Sequence, residues 1–187
     1  PNTHEALESE QGEVWERLIL AAMDNTDRRL SENKPVTPAF LYAVFLWPVL
    51  VTQLNRYRED GIPPAPALHK AATWALNEQS HHTSVPRRFS SVMREMWDLQ
   101  PRLDKRNGKR ADTLMEHPRF RAAYDFLLLR EQAGEIKPGL GEWWTRYQAA
   151  DESQQRAMVQ DLGQAGRQGG RRRRRRRRSG GGGDSEA

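Results

Sequence analysis

Few residues in this 187-residue sequence have the type and spacing that chemistry asks for. They form three groups: the histidines His69, His81 and His82, the aspartates Asp24 and Asp27, and a dense set of lysines and arginines between Val85 and Arg130. A metal held on one helix face needs ligands at i, i+3 or i+4 with a carboxylate partner. His81 and His82 are adjacent and diverge in direction, so a polar helix end accounts for them. Asp24 and Asp27 lie one helical turn apart in DNTDRRL, Asp24 to Leu30. Carboxylates that hold two magnesium ions for phosphoryl chemistry belong on a rigid strand, and no segment here alternates as a strand does. The acidic pair therefore reads as the solvated end of a helix. There is no Gly-rich phosphate loop, no G-x-S-x-G and no H-E-x-x-H, and the absence of cysteine removes thiolate nucleophiles, zinc-thiolate sites and disulfides. The expectation is a chain with no catalytic and no metal-binding residue of its own.

The bases are different in kind. Val85 to Arg130 holds 11 Lys/Arg against 6 Asp/Glu, whereas residues 1–84 hold 7 against 11. Arg87 and Arg88 open the stretch, Arg102, Lys105, Arg106, Lys109 and Arg110 cluster around the Asn107-Gly108 turn signal, and Arg119 and Arg121 follow Pro118. A second basic feature is the uninterrupted run Arg171, Arg172, Arg173, Arg174, Arg175, Arg176, Arg177 and Arg178, in a Gly/Arg/Gln/Ser composition that cannot bury enough apolar surface to order itself. Bases carried on folded helices, with a polyarginine tail behind them, form the electrostatic footprint of a nucleic-acid binder. Arginine in place of lysine adds bidentate grip on phosphate and stacking on bases. For the tail alone, a targeting signal, attachment to an anionic membrane and low-complexity drift are the competing readings.

The elements that would carry these bases are all helical. Val14, Trp15, Leu18, Ile19, Ala22 and Met23 make one stripe of a helix over Glu13 to Leu30. Thr37 and Pro38 start a second, running to about Tyr57 and apolar on nearly all sides at first, with Pro48 expected to kink or divide it. Ala67 to Gln79 follows after a Gly/Pro loop. Pro86 suits a first helical position, Phe89, Val92, Met93, Met96, Trp97 and Leu99 form the next stripe, and Pro101 ends or bends that helix. A short helix spans Ala111 to Glu116. From Pro118 the stripe is Phe120, Ala123, Tyr124, Leu127 and Leu128, with Arg119, Arg121 and Arg130 off it and Gly134 as the stop. Trp143, Trp144 and Tyr147 mark a helix within Gly141 to Ala150 whose aromatics dock on the bundle or, as the alternative, stack on bases. Ser153 to Leu162 is a weaker helix.

PRRF (Pro86 to Phe89), REMWDLQPRL (Arg94 to Leu103), GKRA (Gly108 to Ala111) and EHPRFRAAYDFLLLR (Glu116 to Arg130) closely resemble the C-terminal half of the bacterial poly(A) polymerases, polynucleotide adenylyltransferases related to the CCA-adding enzymes. The resemblance continues through NTDRRL (Asn25 to Leu30) and PVTPAFLYAVFLWP (Pro35 to Pro48) upstream, and through EWWTRYQ (Glu142 to Gln148) downstream. It implies a parent enzyme that adds adenosines from ATP to RNA 3′ ends with Mg2+, using a catalytic head N-terminal to Pro1. No position here matches the motif of that head. The resemblance carries an RNA-binding role onto Arg87, Arg88, Lys109, Arg110, Arg119 and Arg121. The unbroken arginine run departs from the mixed Arg/Lys/Pro tails of the family.

Together these features predict an all-α chain: a polar connector over residues 1–12, an irregular bundle of about six to eight helices over 13–162 that binds RNA 3′ ends largely without sequence preference, and a disordered arginine-rich tail over 163–187. ATP and Mg2+ belong to the parent and no cofactor to this stretch. RNA-degradation machinery is an expected partner and stable membrane insertion is not, since the apolar run Ala39 to Val51 is too short to cross a bilayer. Lack of cysteine points to a reducing, cytoplasmic setting. The alternative function is a helical protein-interaction module with a basic tail.

Overall fold

Tryptophan and leucine at three- and four-residue intervals draw the first helix against its neighbours. Helix α1 runs Gly12–Ser31 and buries Trp15, Leu18, Ala21 and Ala22. The expected stripe is rotated slightly: Ala21 is inside and Met23 is exposed, because two alanines let a neighbouring helix approach closely where Met23 would hold it away. The apolar segment divides where Pro48 removes an amide donor, giving α2, Pro38–Phe45, and α3, Trp47–Glu59, bent by 46°. Next come α4, Pro64–His82, and α5, Arg87–Leu103. They are followed by α6, Arg110–Met115, α7, Phe120–Ala133, and α8, Leu140–Ala149, with further helix over 152–163. The computed structural model describes residues 11–163. Most of the expected connector, and the arginine tail with Arg171 to Arg178, lie outside the described residues. Among the described residues all regular structure is helical, and no single helix is long and apolar enough to cross a membrane.

Two apolar clusters make the core. The larger gathers α1 to α4 with Met93, Met96 and Trp97 of α5 and Phe126, Leu129 and Ala133 of α7. The smaller joins Leu99 and Leu103 of α5 to Ala111, Leu114, Phe120, Ala123, Tyr124, Leu127, Trp144 and Tyr147. Helices α5 and α7 thus belong to both, and the basic stretch first noted in the sequence is the spine of the fold. This double duty bears on two of the expectations. Of the two outcomes left open at Pro101, an end is not seen: α5 continues to Leu103, and Leu99 and Leu103 are both buried in the smaller cluster. Arg130, off the apolar stripe by spacing, is enclosed because α7 buries a second face. A smaller shift is at Pro86, which caps α5 and is not its first residue.

Helix ends leave carbonyls without intrahelical donors, and long-range side chains fill several of them. The Trp97 indole donates to Ala43 O (3.0 Å), that of Trp144 to Leu103 O (3.1 Å), and Arg17 Nε to Ala133 O (3.0 Å). At the start of α8 the Glu131 carboxylate accepts the backbone N–H groups of Leu140 and Gly141 at 2.8 and 2.9 Å, a charge placed where the helix dipole favours it. Gly141 allows this approach, since a Cβ there would lie 2.5 Å from Leu128 Cδ2 and 2.7 Å from Glu131 Oε2. Gly141→Ala should therefore destabilise the fold by about 1–3 kcal/mol through overpacking at this cap. A thermal midpoint lowered by several degrees would confirm this, and an unchanged one would contradict it.

Candidate nucleic-acid interface

The last turn of α5, the Asn107-Gly108 turn and α6 fold around a concavity of about 590 Å³. Arg102, Lys105, Lys109 and Arg110 all line it, with Asn107, Gly108, Thr113 and Leu114, and its lining contains no carboxylate. The loop is held from below. Arg110 donates to Asn107 Oδ1 at 2.6 Å and Thr113 Oγ1 to Lys109 O at 2.9 Å, while Leu103, Ala111 and Leu114 are buried beneath. Four exposed cations are thus gathered on one braced turn.

Arg106 belongs to the same turn but has a different setting. Its guanidinium sits over the Trp143 ring at 4.8 Å and its Nε is buried without an acceptor among the described residues. Burial pulls its pKa down, against the opposing charge of Asp104. Arg106 is thus placed to anchor the loop on α8. The aromatics below are docked, as one reading of the sequence expects: Trp144 and Tyr147 are fully buried, and Trp143 stacks on Tyr147 at 4.7 Å. The Tyr147 hydroxyl donates to the Asp112 carboxylate, and burial with that hydrogen bond pushes its pKa above the usual range, so it stays protonated.

The remaining candidates lie elsewhere. Arg87 and Arg88 are exposed at the other end of α5, about 21 Å from Arg102 at 1.5 Å per residue, with Arg88 over Phe89. Arg119 is paired with Glu95 at 3.0 Å and Arg121 with Asp125 at 3.0 Å. These two line a smaller groove of about 260 Å³ that also takes Arg29, which donates to Pro35 O. Arg29 is a basic residue of this groove that sequence reading missed. Its signal was its place in NTDRRL, a motif whose apparent interest lay in its acids. Asp24 and Asp27 are exposed, as are His69, His81 and His82, and no group of metal-competent side chains occurs among the described residues.

A larger concavity of about 1000 Å³ adjoins the basic one and shares Arg102 and Lys105 with it. Trp47, Val51, Leu54 and Leu68 line one side, Leu127, Ile136 and Leu140 the other. Asp98 lies on its rim, its pKa raised by burial against the pull of His69, Arg94 and Arg102. Arg58 and Lys137 line the concavity too, and neither was singled out by spacing.

Comparison with known proteins bears on these surfaces. Residues 60–179 match the family model described as the polymerase A arginine-rich C-terminus. The chain is 37% identical over 153 residues to the poly(A) polymerase I of Salmonella typhi, an alignment covering 80% of this chain and 33% of that protein. It is 38% identical over 151 residues to that of Escherichia coli O157:H7 and 34% identical over 151 residues to that of Haemophilus influenzae, covering 79% and 78% of this chain and 32% and 33% of those proteins. The alignments thus span about a third of the length of these relatives.

Proposed function

Because the chain belongs to the family of polymerase A arginine-rich C-terminal regions, we propose that it holds RNA for a poly(A) polymerase, keeping a 3′ end in place while adenosines from ATP are added in a Mg2+-dependent head outside this stretch. The observation that carries this reading is the carboxylate-free concavity of Arg102, Lys105, Lys109 and Arg110. Its chemistry is that of a phosphate track: four cationic donors, no carboxylate in the lining, and a turn whose backbone is fixed by packing. Nothing in it distinguishes one base from another, so binding is governed by charge and strand shape. The arginine run adds nonspecific attraction, and the folded cations set where the strand lies.

Titration of the chain with labelled oligo(A) at several salt concentrations tests this. A log-log plot of affinity against salt should fall steeply, by roughly 0.7 per phosphate contact on a single strand. Replacing Arg171 to Arg178 with serine should reduce the slope by as much as about 5.6, leaving a residual slope of about −3 from the four folded cations. Absent or salt-independent binding would remove the proposal. A second reading, a module that contacts another protein, has an observation of its own: Leu20, Met23 and Leu30 share one face of α1 at 55%, 44% and 58% exposure. It would gain the ground that a failed titration gave up.

A further inference from the structure

The seam between the two apolar clusters opens as the groove of about 1000 Å³, and Gln100, Arg130 and Glu135 are among the residues that line it. Its size is at the upper end of small-molecule sites, and it lies between packed helices, where bundles commonly place them. One wall belongs to the first cluster, through Val51 and Leu54, and the opposite wall to the second, through Ile136 and Leu140. These four are only partly buried, so apolar surface faces the opening. Arg102 and Lys105 stand on the boundary and line both this groove and the phosphate track.

We infer that this groove receives unstacked bases of single-stranded RNA whose phosphates lie along Arg102, Lys105, Lys109 and Arg110. The inference rests on the RNA-binding reading above and adds to it where the bases go. A strand carries anionic phosphates on one side and apolar ring faces on the other, and the two adjoining concavities present the matching pair of chemistries, with a shared cationic edge. Charge complementarity selects this occupant: an apolar peptide would leave the four cations of the adjoining track unmet. A duplex keeps its bases stacked inside and gains only the phosphate track. The site therefore favours single strands over a duplex, since its apolar walls can grip exposed ring faces.

The test compares oligo(A) with an abasic strand of equal length and charge, using the full chain both intact and with Arg171 to Arg178 replaced by serine so that the tail cannot mask the difference. The chain should bind oligo(A) about tenfold more tightly than the abasic strand, as one or two seated bases would give. Leu54→Gln with Ile136→Gln should bring that ratio to within about twofold and leave the salt slope unchanged, because no phosphate contact is lost. Equal affinity for the two strands, with steep salt dependence retained, would overturn the groove inference and leave RNA binding standing. A ratio that survives the paired substitution would overturn it also, by placing the bases elsewhere. Failure to bind either strand at low salt would remove the RNA-binding reading itself. The comparison of strands on the unsubstituted protein needs no variant, so misfolding of the paired variant cannot rescue the inference; Val51→Thr, a smaller change on the same wall, should lower the ratio in the same direction.

Discussion

Arg130→Met is expected to destabilise the fold by about 3–5 kcal/mol, since it strands a buried carboxylate without its partner. Arg130 and Glu135 are only 12% and 11% exposed. Two parallel bonds of 2.9 Å join them, Arg130 Nη1 donates to Gln100 Oε1 at 2.9 Å, and the guanidinium lies 4.6 Å from the Trp47 ring centre. The Trp47 indole donates to Glu135 as well, at 2.9 Å. Gln100, itself only 4% exposed, passes the network on to Ala123 O at 3.1 Å. One carboxylate thus connects α3 to α7, and through Arg130 and Gln100 to α5, at the seam of the two clusters. For a chain of this size the loss corresponds to a thermal midpoint lower by about 10 °C or more. Adding Glu135→Leu should recover much of that loss, because burying neither charge costs less than burying one. Recovery stays incomplete by about 1 kcal/mol, since the Trp47 N–H then lacks its acceptor. Denaturant unfolding followed by tryptophan fluorescence measures both variants. A single variant that loses less than about 1 kcal/mol, or a double variant less stable than the single, would contradict this account of the network.

The geometry of this network follows from one local feature. Gly134 takes φ +79° at the end of α7, its N–H bonds Glu131 O, and the N–H of Glu135 returns to Arg130 O. This is the glycine-stopped helix end in which the second residue beyond the helix folds back over its last turn. The fold-back sets Glu135 beside Arg130, five residues earlier. Gly134 is legible in the sequence as a stop, but a stop does not tell which side chains it brings together. By spacing Arg130 reads as a surface residue, because one apolar stripe gives α7 a single buried face. A helix that packs between two clusters has two, and Phe126 and Leu129, outside the expected stripe, supply the second. Periodicity detects the first face of a helix readily; the second is visible only once its neighbours are in place.

The same limit governs the basic surface. Spacing found the helices and the cations of Val85 to Arg130, and Pro48, Gly134 and the docked tryptophans were legible because each has a local cause. What the sequence could not separate is a cation that faces solvent from one already answered by a carboxylate. Arg119 and Arg121 look like Lys109 and Arg110 in the sequence, yet Glu95 lies 24 residues before Arg119, on another helix, and neutralises it. The apolar groove was equally invisible, because its walls come from residues 47–68 and 127–140, which meet only in three dimensions.

That distinction leads to the largest expected effect on binding. In a chain whose tail arginines are replaced by serine, Arg102→Gln, Lys105→Gln, Lys109→Gln and Arg110→Gln together should flatten the log-log salt slope by about 2.8, four contacts at roughly 0.7 each. At 0.1 M salt each such contact is worth about 0.7 log units of affinity relative to 1 M, so the four together are worth several hundred-fold. Removing an equal number of charges at Arg87, Arg88, Arg119 and Arg121 should cost far less. Two of those are paired with carboxylates, and exposed ion pairs offer little net charge to a ligand. The other two lie about 21 Å away along α5, beyond the Debye length at that salt, which is about 10 Å. If net charge alone drew the strand to this protein, both quadruple variants would lose affinity equally. A phosphate track at the α5–α6 turn requires that they differ, and the ratio of their affinities at a single salt concentration decides between the two.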